Sequence, residues 1–145
     1  RDRTGRMVQK QRVRSISMSQ VFDFGSWLPA STYRIYSKLP EIENPSRTWV
    51  TMDEHPDSIN DGAFAVQMAE PGANSARIVD MPGSFHEGGA AMNFGDGHAE
   101  IHRWKGRTIR PPVRHDYSLP LNVPAGDSLH DVIWLSQHTT VRRRP

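Results

Sequence analysis

Between residues 91–94 and 98–104 the chain carries Gly95-Asp96-Gly97. Two strand-forming runs joined by so short a link fold back as a β-hairpin, because glycine supplies the positive φ that a tight reversal needs. The hairpin constrains everything after it. On the return run the side chains alternate, so His98, Glu100, His102 and Trp104 share one face while Ala99, Ile101 and Arg103 share the other. Residues 84–104 hold His86, His98 and His102, three of the seven histidines.

The rest of the sequence points the same way. Eleven prolines and eleven glycines favour turns and short strands over long helices. Residues 13–18 alternate weakly, with Ile16 and Met18 expected to face inward. Residues 48–52 are β-branched and aromatic, form the clearest strand outside the hairpin, and deliver Asp53 and Glu54 at its end. Residues 63–68 read as a strand with Phe64, Val66 and Met68 on one face, and residues 77–79 as a short one. Phe22, Phe24 and Trp27 are expected to plug the core. Residues 131–136 fit either a closing strand or a short helix begun near Ser128, with the balance towards helix. The expected fold is mainly β: an antiparallel sheet with hairpins, long loops and little helix, in a single domain over 13–140. A basic entry segment spans 1–12 and a basic tail 141–145.

At 36% hydrophobic residues and a mean hydropathy of −0.64 the chain offers no membrane span. The absence of cysteine excludes a disulfide framework and thiolate zinc sites. The net charge is only +2, and the basic residues crowd the two ends, where no aromatic side chain is interleaved to stack on bases. They are read as solvated ends, and nucleic acid is not an expected partner.

The polar residues admit three kinds of chemistry. Asp53, Asp57, Asn60 and Asp61 supply oxygen donors for calcium, although the loop breaks the EF-hand pattern because Ile59 and Met68 stand where ligands are needed. His86, Asp96 and His98 are the nitrogen and carboxylate candidates for zinc, which ranks after calcium. His98 and His102 would lie about 13 Å apart on a strand, too far to share an ion. His86 or His98 as general base, with Asp96 or Glu100 orienting it, would make a metal-assisted hydrolase, but no nucleophile elbow, His-Glu-x-x-His helix, phosphate loop or dinucleotide fingerprint accompanies them. Trp49, Trp104 and Trp134 with Tyr33, Tyr36 and Tyr117 would suit a carbohydrate or surface-ligand module if their rings were exposed and coplanar. Core packing is the simpler use of them.

His86 and Asp96-Gly97 are separated by nine residues, and this resembles the H-X9-DG signature of prepilin-type, pseudopilin-like proteins. The segments 53–62, 80–86 and 97–104 and the pair Arg107-Thr108 resemble that family in order and approximate spacing, over about residues 14–140. In this resemblance His86, Asp96, Gly97, His98, Glu100, His102 and Trp104 are motif residues of architectural rather than catalytic role. It implies a pilin-like head, extracytoplasmic, from a parent subunit of α+β class. The parent's N-terminal apolar helix would be its only membrane contact and would pack into a type II secretion or type IV pilus-like assembly. Its partners would be other pilin-like subunits or the secretion machinery. The related major pseudopilins bind calcium in a head loop, but their loop pattern is not reproduced here residue by residue.

Overall fold

The computed structural model describes residues 15–22, 27–116 and 119–144. The basic entry segment 1–12, Phe24 and Tyr117 lie outside the described residues. The strands are β1 (Ile16–Ser19), β2 (Trp49–Asp53), β3 (Ala63–Phe64), β4 (Arg77–Ile78), β5 (Gly89–Phe94), β6 (Ala99–Arg103) and β7 (Val123–Pro124), followed by one helix, α1 (Leu129–Thr139). The fold is β-rich with little helix.

Five strands form one sheet in the order β3-β1-β2-β5-β6, and β4 pairs with β7 apart from it. The β1–β2, β2–β5 and β5–β6 pairings are antiparallel, but β1 and β3 run parallel, so the sheet is mixed. The β5–β6 hairpin forms as the turn residues require: Gly97 takes φ +92°, and its N–H and that of Phe94 close the reversal onto Phe94 and His98 carbonyls.

The helix packs on one face of this sheet. Trp49, Met52, Phe64, Met92, Phe94, Trp104, Val132 and Leu135 make the main core. Trp104 comes from the hairpin face predicted to hold it, and Trp49 anchors the helix end by donating its indole N–H to Thr139. A second, smaller cluster gathers Val21, Leu28, Tyr33, Tyr36 and Ile42.

Three local expectations are corrected. β1 is turned over: Ser17 and Ser19 are buried, while Ile16 and Met18 are 52% and 48% exposed. The reason is polar, because the Ser17 hydroxyl donates to the buried Glu54 carboxylate, and a period of two then sends its neighbours outward. Trp27 is 44% exposed instead of plugging the core, and Phe22 is half-buried against Tyr36. Only Ala63–Phe64 of residues 63–68 is strand. Beyond it side chains replace the ladder: the Ala65 N–H goes to Asp80, the Val66 carbonyl accepts from Gln20, and the Ala69 N–H goes to Ser136. Phe64 and Val66 are nonetheless buried, with Met68 half-buried.

The basic end is also held in place. Arg142 pairs with Glu70 at 2.8 Å and bridges to Tyr33 in the backbone, and Arg143 donates to the Ala30 carbonyl.

Candidate functional site

The densest polar arrangement is the segment after β2. Asp53 uses one oxygen, Oδ2, twice: it accepts the Ala91 N–H at 3.0 Å and lies 3.1 Å from His86 Nε2. Glu54, fully buried, accepts from the hydroxyls of Ser17 and Ser58. His55 is equally buried, with Nδ1 accepting the Asp57 N–H and Nε2 3.1 Å from the Pro111 carbonyl. Those two contacts require the tautomer that carries its proton on Nε2. Asp57 accepts the Arg114 N–H at 2.7 Å. Residues 53–58 are therefore a hub joining β1, β2, the hairpin and the proline-rich strap at 111–114.

His86 stands at a second reversal that the sequence reading did not identify. Glu87 and Gly88 both have positive φ, and the His86 and Gly89 backbones exchange hydrogen bonds across them. That is the pattern of a two-residue hairpin turn with both central residues left-handed. The His86 side chain is 45% exposed and lines a shallow hollow with Glu87, Ile101 and Arg103. Glu87 and Arg103 are ion-paired beside it.

The signature's other half sits at the far end of β5. Asp96 accepts the His98 N–H, and its Oδ1 lies 2.6 Å from His98 Nδ1. These bonds hold the exposed Asp96 carboxylate below its usual range, and the His98 ring stacks on Phe94 at 4.4 Å. About 16 Å of strand, from Gly89 to Phe94, separates this pair from His86. The proposed zinc or hydrolase set of His86, Asp96 and His98 consequently does not assemble. Nor do Asp53, Asp57, Asn60 and Asp61 converge, since Asp53 serves the hairpin, Asp57 the strap, and Asn60 and Asp61 cap local N–H groups. Among the described residues no three histidine or acidic side chains surround a common point.

His102 and Trp104 take the helix-facing side of β6, as alternation predicts. The His102 ring stacks on Trp134 of α1 at 3.5 Å between centroids, and His138 stacks on Trp134 at 4.0 Å. Burial pushes His102 down to about 4 and lowers His138 as well. Glu100 stays exposed. Trp104 donates its indole N–H to the Gly83 carbonyl. Trp49, Trp104, Tyr33 and Tyr36 are all at most 7% exposed, so these rings form no open platform for a sugar.

The start of α1 holds residues that sequence reasoning missed. Asp131, 2% exposed, accepts the N–H groups of Lys105 and Gly106. Asp127 accepts those of Arg107 and Thr108, chiefly the Thr108 bonds holding its carboxyl well below the usual range. Ser128 accepts from Ile109. An Asp-Ser pair followed three residues later by Asp131 is a helix-start signal that was available in the sequence. Here those side chains cap a neighbouring strand exit instead of their own helix.

Asp80 is buried, and desolvation, with a smaller contribution from Asp61, pushes it up to about 6. Comparison with protein-family models, with curated proteins and with solved structures returns no match to this chain.

Proposed function

We propose that the chain is the globular head of a pseudopilin-like subunit of the H-X9-DG type, with a structural and assembly role outside the cytoplasm. The observation that carries this reading is that the resembling segments, far apart in sequence, fall on one connected unit. Asp53 of the 53–62 segment meets both His86 and the β5 backbone, residues 80–83 pair with residues 53–55, and Asp96-Gly97 closes the hairpin that His86 opens. The signature residues are used to tie loops to strands, which suits a scaffold.

A second feature supports the reading. One face of the sheet is packed by α1, while the other carries Ile16, Met18 and Ile101, each about half exposed, with Phe85 at its margin. A sheet whose second face is open and dotted with apolar groups suits a head that packs on another element. In the parent subunit an N-terminal apolar helix would hold the assembly together, with the head displayed at its surface beside other pilin-like subunits.

The deciding experiment reads the coding sequence upstream of Arg1 and follows the full product in membranes. An apolar segment of about 20 residues preceded by a cleavage site, with processing of the expressed chain, is the expected result. A different upstream segment, or a chain never processed and never membrane-associated, overturns the reading.

A further inference from the structure

The main sheet ends on one side in β3, which has only two residues, and on the other in β6, which has five. Natural edge strands are commonly blunted by proline, lysine or a bulge. β6 contains no proline, glycine or lysine, and its register with β5 runs without a shift from Ala99 to Arg103. Ala99, Glu100, Ile101 and Arg103 are all exposed.

The direction of the backbone groups along this edge follows from the ladder. The His98 carbonyl accepts from Phe94 and the Trp104 N–H donates to Gly88, so the even-numbered residues of β6 aim their backbone groups at β5. Ala99, Ile101 and Arg103 therefore aim theirs away from it, and among the described residues nothing hydrogen-bonds to those groups. The next outward N–H, that of Lys105, goes to Asp131 at 3.0 Å, which closes the edge beyond Arg103. What is left is a short template onto which another strand can be added.

We propose that two copies of this chain pair antiparallel through β6, with Ile101 on the twofold axis, making their main sheets continuous. The side chains select both the partner and the register. With Ile101 opposite its counterpart, Ala99 lies opposite Arg103 of the partner subunit and Glu100 opposite His102 of the partner subunit, and every outward residue exchanges both of its backbone bonds. The long, charged Arg103 thus meets the smallest side chain of the strand, Glu100 meets an uncharged ring, and the 55% exposed Ile101 is covered by its own kind. A slip of two residues sets Glu100 against Glu100 or His102 against His102, according to its direction, and leaves an outward residue unpaired. A single strand edge buries less than the roughly 800 Å² per partner of a stable complex, so the pair is weak and reversible. It needs no apolar helix and does not rest on the pseudopilin-like reading.

The isolated chain is followed by sedimentation from about 10 µM to about 1 mM, with amide hydrogen exchange read residue by residue at both ends of that range. The expected result is a reversible dimer with a Kd on the order of 0.1 mM. In it the Ala99, Ile101 and Arg103 amides, fast in the dilute chain, slow several-fold, while those of Glu100 and His102 are protected throughout. Ala99→Pro removes an outward N–H at the first residue of the strand, where the β5 ladder makes no use of it, and is expected to weaken the dimer at least roughly tenfold with the Tm of the dilute chain nearly unchanged. Ile101→Glu, which sets two carboxylates together on the axis, is expected to do the same without touching the backbone. A chain still monomeric at about 1 mM overturns the proposal and leaves the edge to a strand of another protein. A dimer that leaves the three outward amides exchanging freely, or that survives both substitutions, also overturns it.

Discussion

Gly106 touches the first turn of the helix so closely that a Cβ there would overlap the side chain and backbone of Ser128. Any side chain must displace the contact through which Ser128 and Asp131 hold residues 105–109. Gly106→Ala is therefore expected to destabilise by about 2–4 kcal/mol, read as a fall in the denaturation midpoint at unchanged slope. Asp53 and His86 separate stability from signature in a similar test. Asp53→Ala strips the Ala91 N–H of its acceptor and is expected to cost about 1–3 kcal/mol. His86→Ala removes a half-exposed hydrogen-bond partner of Asp53 and is expected to cost under about 1 kcal/mol. Equal losses from the two would show that the ring itself carries the hub. That two acids would stand at the end of β2 was legible from strand pattern alone. What they would hold was not, because Ala91 and Ser17 come close to them only after the sheet has formed.

The helix and the edge strand β6 are joined chiefly through rings, His102 on Trp134 and Trp134 on His138. Asp131 favours protonation of His102, while His138 and Lys105 oppose it, and burial outweighs them all. With a folded value of about 4 against an unfolded 6.5, the unfolded chain binds more protons between those limits. Stability supplied by the neutral ring is thus complete above about pH 6.5 and lost as pH falls towards about 4. Discounted for partial exposure, the loss should be on the order of 1–2 kcal/mol, and His102→Phe should flatten that part of a stability profile against pH. The hairpin was readable in advance from Gly95-Asp96-Gly97, and the helix only as the favoured of two alternatives for residues 131–136. The facing of β1 was not, since alternation in residues 13–18 gives two equivalent faces. Only the buried Glu54 decides between them.

Over the whole molecule, the open sheet face is expected to matter for association and hardly at all for folding. Ile101→Glu should change unfolding free energy by less than about 0.5 kcal/mol while lowering any self-association seen by sedimentation. The mainly β class followed from turn-forming residues spread along the chain, and the mixed sheet did not, because nothing local marks Ala63–Phe64 as the parallel neighbour of Met18 and Ser19. That pairing sets the order of events in time. β1 is the earliest described strand, yet it lies inside the sheet between β2 and β3, so it must wait through a long stretch of chain for both neighbours. Such distant partners make for slow closure, on the scale of milliseconds to seconds. During synthesis β1 would travel unpaired until β2 has emerged and would keep one edge open until residue 64 arrives, and a holding factor would find its opportunity in that interval.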